Sequence, residues 1–170
     1  MISKTLCLLF SESYSAVTNE LAADRTLATV PFAGRYRLID FVLSSLVKAR
    51  VNNIGILTKE HYGSLVDHVG AGKDWALERK NGGLKILTPF ANPGSETTRN
   101  RSKIDALLSC QTYLEESNEE YVILADSNIV MNIDFADLVR YHNDKGADIT
   151  IVYQQRNDAV YNGLVIDQDR

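Results

Sequence analysis

Four cationic residues and one acid in this chain are of the types that bind phosphate oxygens or a metal ion. Arg25, Arg35 and Arg37 lie in the segment that follows the first apolar run of the sequence. Lys59 directly follows the second such run, and Asp126 ends a later one. Guanidinium and ammonium groups bind phosphates, and a carboxylate at a strand end can hold a divalent cation. The available chemistry is therefore phosphate binding, with Asp126 as the candidate metal ligand.

Each of these residues also has a structural interpretation. An arginine at the start of a helix is more often a member of a surface ion pair, and we favour that role for Arg37. For Asp126 we favour the capping of a local turn over metal binding. The remaining candidate metal ligands do not have the spacing of a metal site, and they are His61, His68, His142, Cys7 and Cys110. The two cysteines among them are expected to be buried free thiols.

The segment from 11 to 21 is poorly suited to wrap a phosphate group. It contains no glycine, lysine or arginine and has two glutamates. Phosphate-binding loops use glycines because the absence of a side chain lets backbone amides approach the oxygens. A working nucleotide-phosphate site is therefore not expected at this loop.

Apolar periodicity predicts the elements that position these residues. Short apolar runs bounded by polar residues predict strands at 5–10, 54–57, 84–87, 121–125, 147–154 and 163–166. Helical spacing predicts helices at 36–47, 61–69, 103–117 and 135–145, the last capped by Asp134 and ended by Gly146. Prolines, a glycine and small polar residues predict a long surface loop from 88 to 100.

The alternation of strands and helices predicts an α/β fold with a doubly wound, mostly parallel, Rossmann-like sheet. Ligands of such sheets bind beyond the carboxyl ends of the strands, which are the segments 11–35, 58–60 and 126–131. The predicted strand at 163–166 has no partner after it, so we expect residues 1–170 to form part of a longer domain.

Composition excludes several classes of function. The 170 residues are 45% hydrophobic and 24% charged, which suits one globular domain. The net charge is -4 and no basic run is present, so nucleic acid is not an expected partner. No apolar stretch approaches the roughly 20 residues that cross a bilayer, and no signal-peptide pattern is present. We therefore expect a cytoplasmic protein without a membrane partner.

The segment Val30–Ser44, VPFAGRYRLIDFVLS, closely resembles the VPFGGKYRLIDFxLSN motif of glucose-1-phosphate adenylyltransferases, which make ADP-glucose for glycogen and starch. Further matches are IGILT at 54–58, GAGKDW at 70–75 and ILAD at 123–126. The resemblance covers nearly the whole chain and implies a sheet of the nucleotide-diphospho-sugar transferase type. Catalytic relatives join ATP and glucose 1-phosphate with Mg²⁺, and they carry a C-terminal β-helix domain that is absent from these residues.

Three departures from the family pattern fall on the catalytic site. A glycine-rich loop stands in the family where this chain has residues 11–21, and Leu27 matches a phosphate-facing lysine. The family's magnesium-binding aspartate is either shifted to Asp126 or replaced by Ser127. Ser102, Lys103 and Ile104 also replace small residues beside a family aspartate that matches Asp105. No residue is therefore assigned to catalysis, and no cofactor is assigned.

This pattern resembles the non-catalytic, regulatory subunit of glucose-1-phosphate adenylyltransferase, and the resemblance implies a hetero-oligomer with the catalytic subunit. In catalytic relatives a basic residue matching Arg37 lies near the binding region for sugar-phosphate activators, which Arg35 and Lys59 could join. Asp24, however, stands where activator-sensitive relatives have a lysine. Two alternatives remain: a weakly active nucleotidyltransferase that uses Asp126 and Lys59, and a module that senses ATP or a sugar phosphate.

Overall fold

The computed structural model of the protein describes residues 4–11, 20, 23–59, 61–88 and 102–154. Most of the segment from 11 to 21, most of the predicted loop at 88–100 and the predicted strand at 163–166 lie outside the described residues.

The described residues form six strands, five helices and two short 3-10 turns. The strands are β1 Thr5–Phe10, β2 Pro31–Phe32, β3 Tyr36–Arg37, β4 Asn53–Leu57, β5 Gly83–Leu87 and β6 Tyr121–Asp126. The helices are α1 Leu38–Lys48, α2 Gly63–Val69, α3 Lys103–Ser109, α4 Gln111–Glu115 and α5 Phe135–Lys145, and the 3-10 turns are Leu27–Thr29 and Lys73–Trp75.

Four of the strands form one parallel sheet in the order β5-β4-β1-β6. All six residues of β1 are buried, because a strand between two neighbours and two helical layers has no face in contact with water. In register, Phe10 lies beside Leu57 on one side and beside Asp126 on the other. The carboxyl ends of β4, β1 and β6 therefore meet at one edge of the sheet.

Helices cover both faces of this sheet. Cys7 and Leu9 point to one face, where they join the core formed with α1, α2 and α5. Leu8 and Phe10 point to the other face and pack with Ala106 of α3. The alternation follows from the two-residue period of side chains along a strand. The predicted doubly wound, parallel α/β sheet is confirmed.

The first helix begins two residues later than its apolar pattern predicted. Tyr36 and Arg37 pair instead with Pro31 and Phe32 in a two-stranded antiparallel sheet, joined by a turn in which Gly34 has a φ of 84°. The backbone N–H of Arg37 then donates to a carboxylate oxygen of Asp40 at 2.9 Å, which satisfies a donor at the start of α1.

The helix predicted at 103–117 is interrupted at Cys110. The carbonyl oxygen of Ala106 accepts from the Ser109 hydroxyl at 2.6 Å and from the Cys110 thiol at 3.3 Å. The Cys110 N–H bonds to the carbonyl of Leu107, three residues earlier. Side-chain groups that bond the local backbone in this way compete with the helical ladder, so α3 ends and α4 begins.

The predicted strand at 147–154 is wrong for the described residues. No strand is formed there, and Ile149 and Ile151 are 79% and 58% exposed. A strand requires a hydrogen-bonded neighbour, and no described segment pairs with this one. By contrast, Asp134 caps α5 and Gly146 ends it, as expected.

Both cysteines are buried free thiols, as the sequence predicted. Burial in the core raises the pKa of the Cys7 thiol far above its usual range, and burial also raises that of Cys110. Both are therefore uncharged near neutral pH and act as small apolar groups. None of the helices in the described part of the chain is both long and apolar enough to cross a bilayer.

Candidate functional site

The carboxyl edge of the sheet is held in register by the residue that follows each strand. The N–H groups of Ser11, Thr58 and Ser127 donate to the last carbonyls of the neighbouring strands, at 3.0, 3.1 and 3.0 Å. These bonds extend the parallel ladder one residue past β1, β4 and β6. The segments in which ligands of this fold class bind therefore start from a fixed backbone.

Asp126, the candidate metal ligand, is engaged by a lysine. The Lys103 ammonium lies 2.6 Å from one carboxylate oxygen of Asp126 and 2.7 Å from the other. The same ammonium lies 5.2 Å from the centre of the Phe10 ring, where it gains a cation–π contact. Asp126 therefore pairs with a lysine and, among the described residues, does not cap a local turn as the sequence had predicted.

Lys103 is held in position by the start of α3. Ser102 caps the helix: its hydroxyl accepts from the Asp105 N–H at 3.2 Å, while the Asp105 carboxylate accepts from the Ser102 N–H at 3.2 Å. This reciprocal capping box fixes the first turn, of which Lys103 is the first residue. Asp105, which matches a family aspartate, is therefore committed to a helix cap.

Ser127, the other candidate for the position of the metal-binding aspartate, points away from solvent. Its side chain is fully buried, and its hydroxyl donates to the Phe10 carbonyl at 2.8 Å. Its backbone N–H donates to the same oxygen. The residue closes the end of β6 against β1 and offers no oxygen to a ligand at the edge.

Among the described residues, Asp126 is engaged by Lys103 and Ser127 is turned into the sheet. A cation bound by Asp126 would have to displace the ammonium of Lys103, which already contacts both carboxylate oxygens. The hydroxyl of Ser127 is used by a backbone carbonyl. A metal ion of the kind that the resemblance implies would therefore have to compete with Lys103 for Asp126.

The position of the family's phosphate-facing lysine is occupied by an apolar side chain. Leu27 begins a 3-10 turn that is docked on the end of β1, since the N–H of Ala28 donates to the Ser11 carbonyl at 3.2 Å. Leu27 is thus at the carboxyl edge of the sheet, as the resemblance implied. Its side chain supplies no charge to a phosphate.

The structure places the four candidate cations in different local settings. Arg25 pairs with its neighbour Asp24 at 3.3 Å, and Arg35 lies 5.5 Å from the centre of the Tyr36 ring. Lys59 follows β4 at the carboxyl edge. Arg37 donates to the Ser64 carbonyl at 2.6 Å and so connects the start of α1 to the first turn of α2. Its partner is a backbone oxygen rather than the carboxylate of a surface ion pair.

Two hydroxyl groups at the carboxyl edge remain without a partner among the described residues. Ser11 and Thr58 are 0% and 2% exposed, and their side-chain oxygens make no hydrogen bond there. A buried hydroxyl that lacks a partner is destabilising, so such groups commonly mark a place where something polar binds.

Lys103 is the residue at this edge that sequence reasoning did not assign. It lies 23 positions from Asp126, and the only signal was a lysine where the family has a small residue. The strand and helix predictions placed the two residues on neighbouring elements but did not show that the side chains meet.

Similarity to known proteins agrees with this fold. A family model described as nucleotidyl transferase matches residues 20–170. A solved structure described as a glucose-1-phosphate thymidylyltransferase of Bacillus anthracis has a TM-score of 0.60, with 18% identity over 82% of this chain and 50% of that one. At this identity the likeness shows the fold alone.

Curated relatives are more similar in sequence. Glycogen biosynthesis protein GlgD of Bacillus subtilis is 35% identical over 155 residues, covering 89% of this chain and 44% of the relative. GlgD of Geobacillus stearothermophilus is 37% identical over 88% of this chain and 43% of its own length. A glucose-1-phosphate adenylyltransferase of Thermotoga neapolitana is 38% identical over 72% of this chain and 29% of the relative. The chain thus spans less than half the length of these relatives.

Proposed function

The chain belongs to the nucleotidyl transferase family, and we propose that within it the chain is part of a regulatory, non-catalytic subunit of a glucose-1-phosphate adenylyltransferase that acts in glycogen biosynthesis. The similarity to two GlgD proteins, whose names place them in glycogen biosynthesis, supports the pathway. The state of the carboxyl edge supports the non-catalytic role.

The ion pair between Lys103 and Asp126 is the observation that carries the proposal. Nucleotidyl transfer requires cations around the triphosphate, because the barrier is lowered mainly by positioning and by neutralising developing charge. Here the acid that would hold a metal is neutralised by a lysine from α3. The negative charge that would bind a metal ion is instead paired with a lysine of the same chain.

Leu27 and Ser127 also support a non-catalytic role. One replaces a cation with a hydrocarbon, and the other turns a polar group into the sheet. Loss of one positioned donor from a site that stabilises developing charge costs about 100- to 1000-fold in rate. The segment from 11 to 21, which has no glycine, lysine or arginine, is a further departure, and together these losses remove a large part of the rate enhancement that a transferase needs.

The proposed partner is the catalytic subunit of the same enzyme. The fold, with its buried β1 and helices on both faces, is retained while the chemistry of the carboxyl edge is changed. Retention of the fold without the chemistry is what a subunit that acts through assembly requires. The complete hetero-oligomer would present two related chains, of which one turns over substrate.

The test mixes the full-length protein with the purified catalytic subunit from the same organism. We expect the two to co-elute as one complex and the initial rate of ADP-glucose formation to rise several-fold over that of the catalytic subunit alone. A matched control replaces the added protein with a second portion of catalytic subunit. No complex and no rate increase would contradict the regulatory role.

A sensor of ATP or a sugar phosphate is the second candidate, and the hydroxyls of Ser11 and Thr58 favour it. Both are buried at the carboxyl edge without a partner among the described residues, so a bound polar ligand would satisfy them. Calorimetric titration of the full-length protein with ATP, with and without Mg²⁺, tests this. Saturable binding of ATP without turnover, weakened in a Thr58→Val variant, supports the sensor. If no heat of binding is measured, the regulatory subunit that acts by assembly with its partner is the candidate that remains.

A further inference from the structure

The turn that leads into β5 contains an asparagine followed by a glycine. Asn81 and Gly82 come directly before Gly83, the first residue of β5. The φ angles of the two glycines are 76° and 82°, in the left-handed region that glycine adopts without a steric penalty. Asn-Gly is a common turn sequence, so the pair has an ordinary structural role here. The same two residues can also react with each other, because the glycine nitrogen has no side chain beside it.

Both groups that such a reaction needs are available. Asn81 is exposed, and its side-chain amide makes no hydrogen bond to another described residue. The backbone N–H of Gly82 also has no acceptor within the described part of the chain, whereas that of Gly83 donates to the Asn52 carbonyl at 2.7 Å. The Gly82 nitrogen can therefore approach Cγ, the side-chain carbonyl carbon of Asn81, without breaking a hydrogen bond to a described residue.

Asn81 lines a cleft at the amino edge of the sheet together with three other asparagines, Asn52, Asn53 and Asn118. Each of these three is followed by a residue with a side chain, which crowds the backbone nitrogen that would have to approach. The amide of Asn53 is also held by the Glu119 carboxylate at 2.8 Å. Asn118 is exposed, like Asn81, and differs from it in the residue that follows. Among the asparagines of this cleft, Asn81 alone meets both conditions.

We propose that Asn81 is a site of spontaneous deamidation in the folded protein. The Gly82 nitrogen attacks Cγ of Asn81, a nitrogen–carbon bond forms, the Cγ–Nδ2 bond breaks, and ammonia leaves with the proton of the Gly82 amide. A cyclic succinimide remains. Water then opens the ring. Cleavage of the new bond gives aspartate, whereas cleavage of the original peptide bond gives isoaspartate, in which the main chain runs through the former side chain. The reaction is independent of the proposed regulatory role.

The two products differ in their effect on β5. Either carboxylate enters a cleft that is also lined by Arg50, Lys80 and Lys85, so the added negative charge has cations nearby. Isoaspartate also lengthens the main chain by a carbon atom directly before Gly83, which is tightly packed: a Cβ there would lie 2.5 Å from the Leu77 carbonyl oxygen. We therefore expect isoaspartate to disturb the pairing of β5 with β4, and aspartate to leave that pairing intact.

The experiment stores the full-length protein at mildly alkaline pH, where the amide nitrogen loses its proton more readily, and follows its peptides by mass spectrometry over time. Deamidation raises the mass of the peptide, and methylation by an isoaspartyl methyltransferase detects the isoaspartate in it. We expect Asn81 to convert at least about tenfold faster than Asn118, because Gly82 has no Cβ. Peptide mapping reports separately on Asn162, which is also followed by glycine and lies outside the described residues.

Two variants separate the products. Asn81→Gln keeps the amide but would have to form a larger ring, and Asn81→Asp carries the aspartate product without isoaspartate. We expect storage to lower the melting temperature of the unsubstituted protein more than that of Asn81→Gln, and fresh Asn81→Asp to melt as the fresh unsubstituted protein does. Asn162 is present in all three proteins, so its own conversion does not affect the comparison. Conversion of Asn81 no faster than that of Asn118 would overturn the proposed site, and an equal loss of melting temperature in Asn81→Gln would overturn its effect on β5.

Discussion

Lys103, the first residue of α3, reaches Asp126, the last residue of β6, and places its ammonium 2.6 and 2.7 Å from the two carboxylate oxygens. The lysine side chain is 46% exposed and the aspartate side chain 27%. The pair is therefore partly screened by water and contributes little to stability. Its importance is that Lys103 occupies the carboxylate of Asp126 at the carboxyl edge of the sheet.

The first prediction concerns the strength of this pair. Lys103→Met keeps the length of the side chain and removes its charge, and Asp126→Asn removes the acid. We expect the double-mutant cycle to give a coupling energy of about 0.5–1 kcal/mol, because the ammonium makes one charge-assisted hydrogen bond to Asp126 and the pair is partly exposed. Urea unfolding of the full-length protein and its three variants measures it. Strictly additive effects would show that the two side chains do not interact.

The second prediction concerns Ser127. Ser127→Ala should lower the free energy of unfolding by about 0.5–1.5 kcal/mol, because the Phe10 carbonyl loses its side-chain donor and keeps only the backbone N–H of residue 127. Ser127→Asp should cost more, since it places a carboxylate against that carbonyl oxygen. An aspartate variant as stable as the unsubstituted protein would show that this side chain can turn outward to the edge.

The third prediction compares two glycines with nearly equal φ angles. Gly34 has a φ of 84° and nothing within 4 Å of an added Cβ, whereas at Gly83, with a φ of 82°, that Cβ would lie 2.5 Å from the Leu77 carbonyl oxygen. Gly34→Ala should cost about 1 kcal/mol from backbone strain. Gly83→Ala should cost at least twice as much, because backbone must also move. Equal losses in the melting temperature would contradict the clash.

The fourth prediction concerns pH. Burial alone would raise the pKa of Glu119, but hydrogen bonds from Ser117, Asn53 and the backbone outweigh it and hold the pKa below the ordinary 4.5. A group whose pKa is lower in the folded state stabilises above its unfolded pKa, and that stabilisation is lost as pH falls through the folded value.

Glu119→Gln should therefore flatten part of the loss of stability below about pH 4.5, measured by urea unfolding at successive pH values. Glu78→Gln, which changes an exposed carboxylate outside this network, is the matched control. If the Glu119→Gln variant loses stability at low pH as steeply as the unsubstituted protein, these hydrogen bonds do not favour the charged form of Glu119.

The strands of the main sheet could be predicted because each is a short apolar run bounded by polar or turn-forming residues. The predictions at 5–10, 54–57, 84–87 and 121–125 agree with β1, β4, β5 and β6 to within one residue at each end. The prediction at 147–154 failed because apolar residues alone do not form a strand, and no segment within the described residues pairs with this one. The break at Cys110 depends on two side chains bonding one carbonyl, which periodicity does not encode.

The site was less predictable than the fold. The position of Asp126 at a strand end followed from the pattern, but its partner did not, because Lys103 reaches it across space from another element. Arg37 could be placed near a helix start, yet its bond to the Ser64 carbonyl depends on how α1 and α2 pack. Tertiary packing, which no local pattern specifies, chooses these partners.

The most direct test of the non-catalytic assignment is the release of pyrophosphate by the full-length protein alone, supplied with ATP, glucose 1-phosphate and Mg²⁺. The intact catalytic subunit is the positive control, and Asp126→Asn is measured in parallel. We predict no release above the protein-free blank from either the unsubstituted protein or the variant, because Lys103 holds the acid and Leu27 supplies no cation. Sustained turnover by the unsubstituted protein that is lost in Asp126→Asn would contradict the account.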